Sequence, residues 1–257
     1  MRRRNFVRIG CAGWSISSRQ RDLFGAGDSM LARYASVFNA VEINSSFYRP
    51  HRRTTYQRWA SSVPADFQFS VKIPKSISHE ARLLRTGAAL DAFIEEVAGL
   101  GGKAAVLLLQ LPPSLAFDAK AASTFLRMLR ARWDRDVVCE PRHASWFTPS
   151  AEALLERHRI GRVGADPALS PEARIPMGRV RYWRWHGSER MYYSQYTRAE
   201  LRALSEEVVA ASGAADVWII FDNTALGHAV TDAHALRSLL PSGDEKFEPK
   251  PDRSVRD

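Results

Sequence analysis

Val137-Val138-Cys139 runs directly into Glu140-Pro141-Arg142-His143. The apolar start reads as a buried strand, whereas a carboxylate, a guanidinium and an imidazole are the residue types of acid-base chemistry or anion binding. Six other apolar runs end in the same way: one in Glu42 and Asn44, one in Lys72, one in Gln110, one in Asp166, one in Arg184 and His186, and one in Asp222 and Asn223. Because side chains alternate along a strand, Glu42 shares a face with Asn44, Glu140 with Arg142, and Arg184 with His186. Tyr182, Trp183 and Trp185 read as the residues interleaved between polar partners.

Two carboxylates and several cations at one place suit proton transfer on a substrate that is itself negative. Glu42 and Glu140 are the expected acid-base pair. Lys72, Arg142 and Arg184 are expected to hold the anion, with His186 and Asp222 orienting groups or moving protons. Trp14, Asn44, Tyr48, Gln110, His143, Asp166 and Asn223 are the remaining candidate ligand contacts. The competing reading is a buried ionic network in which Lys72, Arg142 and Arg184 only neutralise Glu42 and Glu140. Glu140→Gln separates the two: a catalytic Glu140 predicts lost turnover with folding spared, and a structural one predicts lost folding.

His79, His143, His186, Glu42, Glu140, Asp166 and Asp222 include the donor types of a divalent metal site. None has a tight ligand spacing, and Lys72, Arg142 and Arg184 would repel a cation, so a metal is not favoured and the cofactor is left open. The loops beyond the strand ends carry Tyr48-Arg49-Pro50-His51-Arg52-Arg53, then Lys75, His79, Arg82 and Arg85, then Arg190, Tyr192, Tyr193 and Tyr196. Cations meet phosphates and rings stack on bases, so this mixture fits a nucleotide or single-stranded nucleic acid, with a plain solvated rim as the alternative.

Strand patterns at 7–14, 40–47, 67–73, 104–111, 136–142, 161–166, 180–186 and 217–222 alternate with helical spacing at 28–37, 54–63, 88–100, 119–132, 151–158, 198–211 and 229–240. The stretch 167–178 holds Pro167, Pro171 and Pro176 and is too interrupted for a full helix. Eight strands alternating with helices predict an α/β protein of the (β/α)8 TIM-barrel class, a single domain over 1–240, whose ligands bind at the C-terminal ends of the strands. An open doubly wound sheet is the runner-up, but Gly10-Cys11-Ala12-Gly13 lacks the third glycine and downstream acid of a dinucleotide fingerprint. The polar tail at 241–257 is expected to be disordered.

The 257 residues are the length of one such barrel, and 45% apolar with 25% charged residues is the balance of a globular protein with ample core. No apolar run approaches the roughly 20 residues of a membrane span, and Met1-Arg2-Arg3-Arg4 is not followed by a signal-peptide core. A cytoplasmic protein with no membrane partner is expected. Cys11 and Cys139 fall in separate strand patterns and read as reduced core residues. The net charge of +9 favours encounter with anions, small or polymeric. Nothing in the residues sets an oligomeric state.

Gly13-Trp14-Ser15, the run from Val41 to Tyr48, Phe69 to Pro74, Gln110-Leu111-Pro112-Pro113, Glu140 to Trp146, Tyr182 to Gly187 and Phe221-Asp222-Asn223-Thr224 together resemble the YecE-like family, domain of unknown function 72. The resemblance spans about residues 6 to 240. It implies a barrel similar in shape to metal-dependent sugar-phosphate isomerases and endonucleases, and it implies no reaction. Where many members carry an aromatic, Trp-Arg-Gly-like run after the first Gly-Trp-Ser, this chain has Ile16-Ser17-Ser18-Arg19-Gln20-Arg21. The expectation is therefore an enzyme acting on a phosphate-containing ligand, nucleic acid included, as a phosphoesterase-like hydrolase or by acid-base chemistry. A non-catalytic binder of single-stranded nucleic acid or an anionic metabolite is the alternative. A sugar-processing enzyme with paired carboxylates is the third reading, and it requires Glu42 and Glu140 to stand roughly 5 to 10 Å apart around a sugar ring.

Overall fold

The computed structural model describes residues 5–241. The tail expected to be disordered, beyond Pro241, lies outside the described residues. Nine parallel strand segments form the barrel: β1 (Val7–Cys11), β2 (Ala40–Ile43), β3 (Gln68–Lys72), β4 (Ala104–Gln110), β5 (Asp136–Glu140), β6 (Ile160–Arg162), β7 (Gly164–Asp166), β8 (Val180–Trp185) and β9 (Asp216–Phe221). One run of neighbours is β1-β9-β8-β7 and the other β2-β3-β4-β5-β6. Two seams close the ring. Ala12 bridges Glu42 beside the Gly13 N–H donating to the Glu42 carbonyl at 2.9 Å, and β6 continues into β7 through Val163, whose N–H donates to the Cys139 carbonyl at 2.8 Å. β6 and β7 are thus the two halves of the sixth of eight staves, and the chain is a TIM barrel.

Gly10 is required at the first seam. A Cβ there would lie 2.1 Å from the Ala40 carbonyl oxygen, so only glycine allows β1 and β2 to approach.

Helices cover the outside: α1 (Met30–Tyr34), α2 (Arg53–Ser61), α3 (Gly87–Val97), α4 (Ala119–Arg130), α5 (Pro149–Arg157), the one-turn α6 (Pro171–Arg174), α7 (Arg198–Ser212) and α8 (His228–Leu239). Their starts follow local chemistry. Asp118 and Thr148 cap α4 and α5, the latter with Pro149 in its first turn, and Thr197 with Glu200 forms a capping box on α7. The prolines of 167–178 leave only α6 there.

Alternation along each strand sorts the core into two. Facing outward, residues such as Ile9, Cys11, Val41, Phe69, Val71, Leu107, Leu109, Val137, Cys139, Val217 and Ile219 pack beneath the helices. Ala40, Val106, Leu108, Val138, Val163, Val180, Tyr182, Trp218 and Ile220 fill the barrel interior. Cys11 and Cys139 are free and buried, as expected of core thiols.

Several elements are shorter than the sequence reading: β1 stops at Cys11, β5 at Glu140, and α1 spans only Met30–Tyr34. The second strand stops at Ile43, and Ser45–Phe47 forms a turn of 3-10 helix, because the Ser46 hydroxyl sits 2.9 Å from the Ile43 carbonyl oxygen and 2.7 Å from that of Lys72. Ser18–Leu23 is a 3-10 turn, held to the neighbouring stave by the Gln20 amide donating to Gly227 O at 2.7 Å. The atypical run after Trp14 thus ties strand one to the start of α8. No helix among the described residues is long and apolar enough to cross a membrane.

Candidate functional site

Five of the inward rows carry a charge at their C-terminal ends. Ala40 is followed two residues later by Glu42, Ser70 by Lys72, Val138 by Glu140, Tyr182 by Arg184 and then His186, and Ile220 by Asp222. Parallel strands bring these ends to one mouth.

Arg184 lies at the centre, fully buried. Its Nε donates to Glu42 Oε2 at 3.0 Å and its Nη2 to Glu42 Oε1 at 2.8 Å, while Nη1 donates to Glu140 Oε2 at 2.5 Å and Nη2 also reaches Asp222 Oδ2 at 2.8 Å. Glu42 accepts a further bond from the Tyr182 hydroxyl at 2.9 Å, and that hydroxyl lies 2.9 Å from Ser70 Oγ. Glu140 Oε1 forms an ion pair with Arg142. Burial alone would raise the Glu140 pKa, but Arg142 and Arg184 outweigh it and hold the carboxyl well below its usual range. Asp222 is lowered in the same way: burial opposes the shift, and Arg184 and His186 drive it.

The His186 ring spans the cluster. Nδ1 is 3.0 Å from Asp222 Oδ2, and Nε2 is 2.7 Å from Arg142 Nη2 and 3.1 Å from Glu140 Oε1. A ring protonated only on Nδ1 donates to Asp222 and accepts from Arg142; a doubly protonated ring can donate to Glu140 instead. Two proton arrangements are therefore served by one set of heavy atoms.

Lys72 completes the group from β3. Its Nζ lies 4.2 Å from the centre of the Phe47 ring, and among the described residues it forms no ion pair within 4 Å. Burial, then the like charge of Arg184, lowers its pKa to about 8 against the partial opposition of Glu42, Asp222 and Glu140.

The other expected contacts divide. Asn44 and Gln110 stand half-buried at the ends of β2 and β4, Gln110 in register with Glu140. Trp14 packs edge-on against Trp59 at 5.0 Å, and Tyr48 is 66% exposed at the rim. His143 is occupied locally, its Nδ1 lying 2.8 Å from Ser145 Oγ. Asp166 joins a separate group, accepting from Arg174 at 2.7 Å, Ser188 at 2.6 Å and the Tyr196 hydroxyl at 2.9 Å. Asn223 is spent on tying the loop after β8 to α8, donating to Ser194 O at 2.8 Å and Asp232 at 2.7 Å.

Part of the expected basic rim is also committed. Arg53 pairs with Glu95, Lys75 with Glu80 at 3.0 Å, Arg82 donates to Ser114 O at 2.9 Å, and Tyr196 is buried. Among the described residues, no three His, Cys, Asp or Glu side chains are placed to hold a metal ion. Tyr182 and Ser70 belong to the cluster and were missed as site residues. The signal was parity, since 182, 184 and 186 share a face, so Tyr182 is not one of the interleaved residues.

The whole inward row, with the strand ends that carry it, matches the family model described as protein of unknown function DUF72 over residues 8–255. The chain belongs to the DUF72 family. It is 29% identical to the UPF0759 protein YecE of Escherichia coli K12 over 164 residues, 63% of this chain and 58% of YecE. It is 29% identical to the UPF0759 protein YunF of Bacillus subtilis over 152 residues, 56% of this chain and 53% of YunF. The matches thus span little more than half the length of these curated relatives. A DUF72 family protein of Enterococcus faecalis V583 superimposes with a TM-score of 0.78 at 23% identity, covering 95% of this chain and 99% of that one. A DUF72 family protein of Thermotoga maritima gives 0.76 at 23%, covering 91% and 99%. At that identity the likeness speaks for the fold alone.

Proposed function

We propose that this DUF72 protein is an enzyme that takes a phosphate-containing ligand at the C-terminal mouth of the barrel and works on it by hydrolytic or acid-base chemistry. One observation carries the reading: the carboxylates of the cluster are consumed by Arg184, Arg142 and His186, while Lys72 is buried beside them without a carboxylate of its own. A buried ammonium without a counter-ion is costly, and an incoming anion relieves that cost. Arg142 adds to the attraction, since its Nε is buried with no hydrogen-bond partner among the described residues.

On this reading Glu42 and Glu140 anchor the cations and do not themselves exchange protons with substrate. His186, between Asp222 and Glu140, is the group arranged to move a proton. The same geometry disfavours the sugar-processing reading, because the Arg184 guanidinium occupies the space between the two carboxyl groups where a sugar ring would sit.

The test is a thermal-shift titration with inorganic phosphate at low ionic strength, followed by a panel of phosphomonoesters and phosphodiesters. A melting temperature that rises with phosphate in the wild type and rises less in Arg142→Gln, together with turnover lost in Asp222→Asn, is the expected result. No response to phosphate and no turnover overturns the proposal.

A second reading, a non-catalytic binder of single-stranded nucleic acid or an anionic metabolite, is supported by exposed Tyr48, Tyr192 and Tyr193, with Arg190 stacked 4.1 Å over Tyr193. Binding that weakens steeply with salt and is unaccompanied by turnover would favour it.

A further inference from the structure

Lys72 differs from the other cations of the mouth in its surroundings as well as its pairing. Arg184 and Arg142 meet carboxylates, whereas the Lys72 amine faces the ring of Phe47, itself packed edge-on by Tyr48 at 5.0 Å and His79 at 4.9 Å. The segment after it is unusual. Ser76–Glu80 forms a single π turn, and Arg82, Leu83 and Arg85 all take left-handed backbone conformations, with φ of 49°, 68° and 53°. Such conformations are strained for residues with a Cβ and, like π turns, concentrate at functional sites. Buried Ile77 and Leu83 hold the strained loop in place over the end of β3. A buried amine against an aromatic ring, beside a second cation and without an ion-pair partner among the described residues, is an arrangement in which lysine serves as a nucleophile and not merely a charge. Burial and Arg184 accordingly bring it to about 8.

We infer that Lys72 is the nucleophile of a carbonyl reaction, adding through Nζ to the aldehyde or ketone carbon of a substrate whose anionic group is seated on Arg142. This rests on the phosphate reading for the anionic group and adds the reacting class. The Nζ lone pair forms the C–N bond as the carbonyl π pair moves to oxygen, which takes a proton released by nitrogen. The carbinolamine then loses its hydroxyl together with the second nitrogen proton as water, and the nitrogen lone pair becomes the C=N bond. One amine and one carbonyl give one imine and one water, with no change of oxidation state.

Borohydride reduction traps such an imine as a stable secondary amine. The full chain is incubated with glycolaldehyde phosphate, and separately with neutral glycolaldehyde, in the presence of borohydride, and adducts are mapped by peptide mass. At neutral pH the larger neutral fraction of Lys72 predicts labelling roughly tenfold or more faster than at exposed Lys120. Faster labelling by the phosphorylated aldehyde, slowed by inorganic phosphate, supports both readings. Preferential labelling of Lys72 by either aldehyde with no protection by phosphate supports the amine reaction and removes the phosphate reading. Labelling of Lys72 no faster than Lys120, in a protein whose melting temperature still rises with phosphate, overturns the inference and leaves the phosphate reading standing. Because mapping is done on the wild-type chain, the outcome does not depend on a variant that folds.

Discussion

Arg184 meets Glu42 in a two-pronged contact, Nε to Oε2 at 3.0 Å and Nη2 to Oε1 at 2.8 Å, with both side chains wholly buried. A lysine has one charged nitrogen and cannot reproduce that fork while also reaching Glu140 and Asp222. Removing one partner of a buried pair leaves an uncompensated charge, which costs about 3–5 kcal/mol. Arg184→Met and Arg184→Lys are therefore both expected to lose most of that amount in urea unfolding, and a lysine variant as stable as the wild type would refute the forked role.

Glu140 extends the argument to acid. With its pKa below that of an unfolded carboxyl, the folded state binds fewer protons than the unfolded one, so the stabilisation is present above the unfolded value of about 4.3 and is lost as pH falls through the folded value. Glu140→Gln is expected to be less stable than the wild type at pH 7 and to lose less stability on going to pH 3. Urea midpoints at the two pH values measure both slopes, and parallel slopes would remove Glu140 from the acid response. The same variant was expected, on a purely catalytic reading, to spare the fold. Its bonds to Arg184 and Arg142 make destabilisation the expected outcome instead.

The barrel was legible in the sequence because parallel strands buried on both faces print as short apolar runs, and the site because charge at the ends of those runs has few other reasons to exist. The roles within the site were less legible. Spacing places Glu42, Glu140, Lys72 and Arg184 on inward faces but cannot say that Arg184 reaches across the barrel to take both glutamates, which leaves Lys72 without either. Asp166 and Asn223 also end strands, yet Arg174, Tyr196 and Asp232, on the elements that follow the strands, engage them away from the cluster, contacts that strand spacing does not print.

Tyr182 shows how a single parity decides a role. Its hydroxyl bonds Glu42 and Ser70 at 2.9 Å each, with no access to water. Tyr182→Phe keeps the ring and deletes a hydrogen bond to a buried charge, a loss of about 1.5–3 kcal/mol. Calorimetric or urea stability checks it, and a neutral effect would mean that Arg184 alone satisfies Glu42.

Lys72 gives a pH dependence of the same sign in an alkaline window. Glu42 faces it from the neighbouring strand and Arg184, Asp222 and Glu140 from strands across the barrel, and His79 lies on the loop that follows its own strand. Its value falls from the ordinary 10.5 to about 8, so between those limits the unfolded chain binds a proton that the folded chain has released. Stability attributable to this group therefore rises with pH through that window; the cost of the buried ammonium is full below about pH 8 and gone above about 10.5. Lys72→Met keeps the apolar stem and removes the charge. It is expected to be more stable than the wild type at pH 7, with the difference shrinking between pH 8 and pH 10. Paired urea midpoints across that range measure it, and a difference that stays constant or reverses sign at pH 7 would show that the ammonium is compensated within the fold. Phosphate gives an independent reading of the same charge: at pH 7 it is expected to narrow the gap by stabilising the wild type more than the variant, which keeps Arg142.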